Sequence, residues 1–279
     1  MDYPSSDSFN PRRLLIRVVP IAIAALVILY QYTSSEKFTN EAGRTAHHAL
    51  NPLQEQALGL QSYQQVLDQS EIIDSGAEYE LVKSVADRLS AATGPAGETF
   101  DWRVSLVRSP EINAFCLPGG KIIVYTGILP VTGTEAGLAT VLGHEMAHAT
   151  LRHGSERLLQ QKETQTLMTG VQFSLGDMSY QQQRAVMGAI GAGAQYGLLL
   201  PFSREHESEA DKIGLFYMAR AGFDPREAIE FWRRMSEATA RGGKQPEFMS
   251  THPSDATRIA QLERLLPQAQ DKYKYNRAR

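Results

Sequence analysis

The sequence predicts an α+β fold that is mainly helical, with a small antiparallel sheet and one apolar helix near the N-terminus. An almost unbroken apolar run covers residues 18–30, and three short alternating segments lie between residues 100 and 127. The chain that follows them has helical patterning almost to its end. Strands followed by a run of helices are typical of α+β domains, so we expect helices to pack on one face of the sheet.

Length, charge and cysteine content limit the class of protein. The chain has 279 residues, of which 42% are hydrophobic, enough for one or two domains with a packed core. The formal net charge of -3 gives no basic excess, so we expect no nucleic-acid partner. A single cysteine, Cys116, excludes an internal disulfide and a cysteine-based zinc site. Its apolar surroundings predict a small buried side chain, and any metal must bind His, Asp or Glu.

The N-terminal segment predicts a membrane anchor. Arg12, Arg13 and Arg17 precede the apolar run, which reaches the lower limit for spanning a bilayer when it is extended back to Leu14. No small-x-small cleavage site follows, so we favour an uncleaved anchor over a removed signal peptide. The arginines place the N-terminus in the cytoplasm. In a bacterium this predicts a single-pass inner-membrane protein with its body in the periplasm, and the alternative is a periplasmic protein after signal cleavage.

The first 50 residues fall into two predicted regions. Residues 1–33 form the cytoplasmic tail and the anchor, and residues 34–50 form a polar linker. His47 and His48 lie in this linker, where adjacent histidines are more often solvated than bound to a metal. Residues 51–266 are expected to form the main domain.

Helix signals define both ends of that domain. Asn51 suits an N-cap, Pro52 suits a first turn and Gln54 completes a capping box. Apolar spacing predicts an amphipathic helix over residues 77–92 with Leu81, Val85 and Leu89 on one face. We expect a solvated polar tail over the last residues of the chain, 267–279.

Three strands follow the amphipathic helix. Alternating apolar and polar residues predict them over residues 100–107, 113–117 and 121–127, and a Pro-Gly-Gly turn at 118–120 joins the last two. Together they predict a small antiparallel sheet.

The stretch TVLGHEMAHATLRHG, residues 140–154, is predicted to be helical. Thr134 is a plausible N-cap, and Gly154 suits the position just past the C-terminus. At positions i and i+4, His144 and His148 lie about 40° apart on one face, where two imidazoles can bind one metal ion. Glu145 lies beside them, where a general base for a water molecule is expected. The alternative is a buried histidine pair whose neighbours satisfy its hydrogen bonds.

A catalytic zinc site needs a third protein ligand. His153 is excluded, because five residues beyond His148 it is rotated by about 140° on the same helix.

Acidic candidates cluster in SREHESEADKIG, residues 203–214. Helical spacing pairs Glu207 with Asp211, or Glu205 with Glu209, and does not choose between the pairs. The alternative for this run is a solvated acidic face.

Three motifs in this order resemble a known family. HEMAH, followed by ESEAD and then by THPSDATRI at 251–259, is similar to the HtpX and CAAX-prenyl-protease family of zinc metalloendopeptidases, which are gluzincins. Within it, the resemblance points to the periplasmic BepA- and LoiP-like members. It covers about residues 51–265 and implies a mainly helical, zincin-type protease domain with one Zn²⁺ per chain.

The resemblance also implies roles for individual residues. Glu207 is then the third ligand, and Asp211 is a carboxylate that orients a ligating histidine. His252 approaches the zinc site, where it stabilises an oxyanion or occupies the open position in a resting state, and Arg258 is the arginine of the third motif. The alternative is that His252 is incidental to a turn capped by Ser254 or Asp255.

An edge strand and an activity are implied in the same way. Asn113 and Ala114 match a strand that pairs with the substrate backbone, which suits one site that cuts many sequences. Glu145 takes a proton from the attacking water and returns it to the leaving amine. The implied activity is zinc-dependent endopeptidase, in extracytoplasmic quality control of misfolded or membrane-associated proteins, with unfolded or misfolded proteins as substrates.

Two alternative functions remain. One is a zinc-stabilised, chaperone-like protein that holds clients without turnover, which needs the ligands but not Glu145. The other is a mitochondrial inner-membrane stress protease of the same family, although the acidic start around Asp2 is unlike a transit peptide.

The segment AVMGAIGAGAQYGLLLP, residues 185–201, is rich in small and apolar residues. We expect a packed helix beside the site, because the segment is short for a membrane span and contains Gln195. A second span would also separate HEMAH from ESEAD across the membrane.

Overall fold

The computed structural model describes four stretches of the chain, residues 11–188, 202–241, 246–252 and 256–277. The chain divides into two compact units. The large unit comprises Glu36–Arg157 and Pro201–Arg279, and the small unit comprises Met1–Ser35 and Leu158–Leu200.

The large unit is α+β and mainly helical, as predicted. Its strands are β1 (Glu36–Thr39), β2 (Thr45–His48), β3 (Ile72–Ile73), β4 (Arg103–Val107), β5 (Ala114–Leu117) and β6 (Lys121–Tyr125). The small unit contains α1 (Pro11–Ser34). The other helices are α2 (Pro52–Asp68), α3 (Ala77–Ala92), α4 (Leu129–Thr132), α5 (Glu135–Thr150), α6 (His153–Ser174), α7 (Arg204–Arg220), α8 (Glu227–Arg241), α9 (Glu247–Thr251) and α10 (Ala256–Arg277).

Local capping starts the helices where the sequence predicts. The Asn51 side chain accepts from the Gln54 backbone at 2.9 Å, and the Gln54 side chain accepts from the Asn51 backbone at 3.0 Å, which completes the capping box of α2. The amphipathic helix α3 has the predicted bounds. Val85 and Leu89 are buried on its core face, whereas Leu81, one turn before Val85, is exposed.

The four-stranded sheet has the order β3-β4-β6-β5. The β5–β6 hairpin is antiparallel, with Ala114 opposite Val124, and β3 is also antiparallel to β4. One detail corrects the sequence analysis, because β4 and β6 are parallel, with Arg103 opposite Lys121. Alternation of apolar residues fixes which face of a strand is buried, but not the direction of its neighbour.

Helices cover both faces of this sheet, and not one face as expected. Leu106, Ile122 and Val124 point into the main core, which the helices α3, α5 and α7 share. Ile123 points the other way and packs with Tyr63 of α2 in a smaller cluster. The long apolar run in β6 therefore reflects burial on both sides.

Residues 34–50 are not a linker. The strands β1 and β2 form an antiparallel hairpin, in which Glu36 pairs with His48. His48 is 1% exposed and its ring lies edge-on to Phe38 at 5.6 Å, so the expectation of a solvated histidine is wrong. Two four-residue strands with few apolar residues carry too weak a local signal to reveal this hairpin.

The helices α5 and α7 cross at two glycines. A Cβ on Gly214 would lie 2.8 Å from the carbonyl carbon of Gly143 and 2.8 Å from the backbone nitrogen of His144. The absence of side chains therefore permits the close approach that sets the HEMAH segment against the ESEAD segment.

A sharp break separates α5 from α6. The helix α5 is capped by Thr134 as predicted, since its side chain accepts from the Gly137 backbone at 2.9 Å, but it ends at Thr150. The predicted role of Gly154 is wrong, because Arg152 takes the left-handed conformation (φ 59°) and α6 begins at the next residue. Buried Arg152 donates to Glu55 at 3.0 Å, and this contact offsets part of the strain.

The small unit is built on α1. By length and composition, Leu15–Ser34 is the one helix among the described residues that could cross a membrane. Arg17 forms a bidentate ion pair with Asp177, at 3.0 Å for the shortest contact. Residues 180–188 are helical, and the rest of the predicted packed helix, 189–201, lies outside the described residues.

The C-terminal segment is helical through Arg277. Asp271 and Lys272 are exposed, as expected of the predicted tail, but Ala269 is fully buried and Tyr273 packs against the core. The segment is therefore the C-terminal part of α10, in which exposed polar residues alternate with residues that pack against the core.

Candidate metal centre

Two histidines of α5 converge as their spacing predicts. The Nε2 atoms of His144 and His148 lie 3.1 Å apart, and both side chains are 3% exposed. A helix places residues i and i+4 on one face, so this convergence follows from the sequence alone.

The third group comes from α7. Glu207 is buried in the first turn, with Oε1 3.3 Å from His148 Nε2 and Oε2 3.4 Å from His144 Nε2. Of the two acidic pairs left open by helical spacing, this is the one at the cluster. The Glu205 side chain is 66% exposed, and Glu209 contacts other groups.

A fourth group comes from the residue after α9. The Nδ1 atom of His252 lies 3.0 Å from Glu207 Oε1 and 3.2 Å from His144 Nε2, while its Nε2 atom lies 3.3 Å from Glu145 Oε1. The ring of Phe202 stacks on His252 with centroids 5.5 Å apart. Ser254 and Asp255, the alternative caps, lie outside the described residues.

These four side chains fit a metal ion. Ligand atoms of His144, His148, Glu207 and His252 lie within 4.8 Å of one another. Tetrahedral ligands at zinc distances, about 2.0–2.1 Å from the ion, lie roughly 3.3 Å apart, close to the distances above. Nitrogen and carboxylate oxygen donors suit zinc.

The surrounding charge also suits a cation. Three carboxylates, those of Glu145, Glu207 and Asp211, are buried here. The guanidinium of Arg258 pairs with two of them, Glu207 and Asp211. A dication at the centre would balance the remaining negative charge, which is costly to bury alone.

Asp211 lies directly behind His144. Its Oδ1 atom is 3.0 Å from His144 Nδ1, the ring nitrogen that faces away from the cluster. Arg258 binds both Asp211 oxygens, at 2.6 and 2.7 Å, and its guanidinium lies 3.6 Å from the centre of the Trp232 ring. The Nη2 atom of Arg258 lies 3.1 Å from Glu207 Oε2, so the third motif also contacts the cluster.

Glu145 lies beside the cluster and outside the ligand set. Its Oε2 atom accepts from the Cys116 backbone N–H at 3.3 Å. Burial raises the pKa of Glu145 above its ordinary value, an effect that the positive charge of neighbouring histidines partly opposes. A carboxylate that holds a proton more readily is suited to general acid–base chemistry.

The histidines and Glu207 influence one another electrostatically. Burial lowers the pKa of His148 well below its ordinary value, which favours the neutral ring that a metal requires. Burial and Arg258 also lower the pKa of His144, but Glu207 and Asp211 outweigh them and raise it to about 9. Burial raises the pKa of Glu207, but the neighbouring histidines hold it far below its ordinary range. The pocket thus holds an anionic Glu207 that attracts positive charge.

Comparison with known proteins agrees with this geometry. The sequence model of Peptidase family M48 matches residues 77–266, more than half of the chain. The chain belongs to peptidase family M48. This is a family of zinc metalloproteases, and all four residues of the cluster lie within the matched M48 region.

Relatives of this M48 chain include a mitochondrial protease and bacterial proteases. The mitochondrial metalloendopeptidase OMA1 of Schizosaccharomyces pombe is 42% identical over 68% of this chain and 54% of its own length. The beta-barrel assembly-enhancing proteases of Yersinia pestis and Escherichia coli are 30% and 27% identical over 79% and 89% of this chain, and 45% and 52% of their own lengths. Identity is thus higher with the mitochondrial relative, and the chain spans about half the length of these curated relatives.

The predicted substrate strand borders the site. β5 is an edge strand of the sheet. Asn113, just before it, is half-buried, and its carbonyl accepts from Tyr125 of β6 at 3.1 Å, while Ala114 is fully buried. The Cys116 N–H points toward Glu145, so the side of β5 away from β6 faces the candidate centre.

Sequence reasoning missed two groups close to the ligands. A continuous α5 would carry His153 away from His148, which is why the sequence analysis excludes His153 as a third ligand. The left-handed conformation of Arg152 ends that helix and directs His153 back toward the cluster. The Nδ1 atom of His153 lies 2.9 Å from His148 Nδ1. Its Nε2 atom lies 3.0 Å from Glu209 Oε2. A positive φ at an arginine has no sequence signal, so these contacts depend on tertiary structure.

Proposed function

We propose that this M48 chain is a zinc-dependent metalloendopeptidase in which His144, His148 and Glu207 hold one Zn²⁺ and Glu145 acts as the general base. The observation that carries this proposal is the position of Glu145, which is buried at the edge of the ligand cluster and outside it. A purely structural metal site would use all its groups as ligands and would need no such carboxylate.

Each residue has a defined part in peptide hydrolysis. A bound zinc ion supplies Lewis-acid activation of water and of the peptide carbonyl. Glu145 accepts the proton of the attacking water and donates it to the leaving amine, and its raised pKa favours this return. Asp211 accepts from His144 Nδ1, so that Nε2 presents its lone pair to the cluster.

His252 is proposed to hold the fourth position in a resting state. Its Nδ1 atom lies among the ligand atoms, where a substrate carbonyl or water would bind. If it blocks the site, His252→Ala increases the rate of peptide cleavage at saturating zinc. If it stabilises the oxyanion instead, the same change lowers kcat by about 10²-fold.

Unfolded or misfolded proteins are the proposed substrates. The side of β5 that faces the centre is proposed to pair with an extended peptide along Asn113 and Ala114. Pairing through backbone hydrogen bonds is independent of most side chains, and it requires a substrate segment without its own secondary structure.

Zinc content and cleavage of an unfolded protein by the full chain in detergent test the function. The matched pair is wild type and Glu145→Gln, which keeps size and removes the base. We expect one zinc per chain in both, and cleavage at least about 10²-fold slower in the variant. Zinc in both with equal, negligible turnover would favour the holding protein, and no zinc in wild type would refute the proposed centre.

The proposed location is the bacterial inner membrane, with α1 as an uncleaved anchor and the large unit in the periplasm. There the chain would act in quality control of misfolded or membrane-associated proteins. Arg12, Arg13 and Arg17 support this orientation. Protease added outside spheroplasts of a bacterial host should digest the large unit, whereas a protected large unit would contradict the orientation. The mitochondrial relatives support the alternative, an inner-membrane stress protease.

A further inference from the structure

A line of buried polar groups leads away from His148 on the side opposite the other ligands. His153 is fully buried between His148 and Glu209, at 2.9 Å from the first and 3.0 Å from the second. The ring of His206 stacks on His153 with centroids 4.4 Å apart. None of these three outlying groups has a part in the proposed reaction.

The distances allow one consistent arrangement of protons between the two neutral rings. If His148 Nε2 binds the metal, His148 Nδ1 carries the proton and donates to Nδ1 of His153. His153 then carries its own proton on Nε2, which donates to the carboxylate of Glu209. The acceptor at the end of the line therefore determines which nitrogen of His148 offers its lone pair.

Glu209 is itself held by the β1–β2 hairpin. Its Oε1 atom accepts from Arg44 Nε at 2.7 Å, and its Oε2 atom accepts from Asn40 Nδ2 at 3.0 Å. Arg44 also forms a bidentate pair with Glu156 at 2.9 and 2.9 Å, and Glu156 lies 3.1 Å from His206 Nε2. Rigid, charge-assisted contacts of this kind fix the position of a carboxylate.

The arrangement parallels the support of the other histidine ligand. Asp211 reaches His144 directly, because it lies about 40° from Glu207 on α7. Glu209 lies about 200° from Glu207 on the same helix, so it faces away from the cluster and reaches its histidine only through His153. One short segment thus supplies a ligand and supports for both histidines.

We propose that His153 and Glu209 are positioning residues that fix the tautomer and ring orientation of His148, and that the hairpin turn at 40–44 holds Glu209 in place. This inference rests on the proposed function, because it takes His148 to be a zinc ligand. It assigns a role in the metal centre to a hairpin that lies before the region matched by the M48 family, 77–266.

Two variants of the full chain in detergent test the support. His153→Phe keeps an aromatic ring and removes the acceptor for His148. Glu209→Gln offers one acceptor oxygen where the carboxylate offers two, so either His153 or Arg44 loses its hydrogen-bond acceptor. The control, Glu205→Gln, makes the same change at an exposed site on the same helix.

Zinc affinity, measured against a competing chelator, is the first readout. We expect both variants to bind zinc about 10–100-fold more weakly than wild type, with the control unchanged. The double variant should bind no more weakly than His153→Phe alone, because both residues act along one path. The visible absorption of bound Co²⁺, which reports ligand geometry, should differ from wild type in both single variants.

Unchanged zinc affinity in folded variants would overturn the positioning role, as would full additivity in the double variant. Weaker affinity with an unchanged Co²⁺ spectrum would overturn it too, since it would indicate destabilisation without ligand movement. If His153→Phe fails to fold, Glu209→Gln alone tests the positioning role, with the same expected loss of zinc affinity and the same change in the Co²⁺ spectrum. Absence of zinc binding in wild type would instead refute the proposed function itself.

Discussion

The two histidines of HEMAH are equivalent in the sequence but are supported differently in the structure. On the near side, His144 contacts Asp211 directly, and Arg258 holds that carboxylate from both oxygens. On the far side, His148 reaches a carboxylate, that of Glu209, only through a second imidazole. On the near side, one buried ion pair, Asp211 with Arg258, supports His144. On the far side, residues of α6, α7 and the β1–β2 hairpin together support His148. Disruption of the near side should therefore have the larger effect.

The largest effect is expected from Asp211→Ala. It removes the acceptor for His144 Nδ1 and the bidentate carboxylate of buried Arg258. Loss of one partner from a buried pair costs about 3–5 kcal/mol. Chemical denaturation of metal-free protein measures this change in the free energy of unfolding. The double variant with Arg258→Leu should recover part of the loss, and a change in Asp211→Ala below about 1 kcal/mol would contradict the near-side account.

Gly214→Ala should disturb both sides together. Its Cβ would meet the backbone of Gly143 and His144 at 2.8 Å, so α5 and α7 must separate. Overpacking of this kind costs about 1–3 kcal/mol, and the separation should weaken zinc binding as well. The control is Gly154→Ala, since a Cβ there has no heavy atom within 4 Å and alanine favours a helix. Equal stability of the two variants would show that the crossing tolerates a methyl group.

The pH dependence of stability tests the hairpin on the far side. Burial and Arg152 lower the pKa of His48 from 6.5 to about 4, although Glu156 opposes them. Between these values the unfolded chain binds a proton that the folded chain does not, so the free energy of unfolding falls as pH falls. The loss should be on the order of 1–3 kcal/mol, and urea titrations at a series of pH values measure it.

His48→Phe should flatten this pH profile, because it removes the titrating group from both states. His47→Phe makes the same change at the neighbouring position in β2 and is the matched control for the loss of an imidazole. A profile of unchanged slope in His48→Phe would show that other groups cause the loss of stability in acid.

The smallest effect is expected from Glu205→Ala. This side chain is 66% exposed and its ion pair with Arg44 Nε is 3.9 Å long, so the stability change should stay within about 0.5 kcal/mol. Glu209→Ala, four residues later, should cost about 1–3 kcal/mol, because buried donors lose their acceptor. Thermal unfolding measures both changes in stability. Equal losses in Glu205→Ala and Glu209→Ala would show that Glu209 supports the fold no more than an exposed acidic residue does.

Local patterns account for most of the elements. The capping box at Asn51, the N-cap at Thr134 and the amphipathic helix α3 all depend on residues within four positions of one another, and the structure has each of them. The parallel pairing of β4 with β6 and the hairpin before α2 were not predicted. Each brings together segments whose relation is set by packing and not by local sequence.

The sequence alone determined the convergence of His144 and His148, because helical geometry fixes the positions i and i+4. It also limited the acidic candidates for the third metal ligand to two pairs, Glu207 with Asp211 and Glu205 with Glu209. Tertiary structure selected Glu207 for the cluster and turned Glu209 toward His153, since helical spacing is the same for both pairs. It also turned His153 back to His148 through the left-handed Arg152. That conformation is held by contacts with residues about a hundred positions earlier in the chain, which no local pattern encodes.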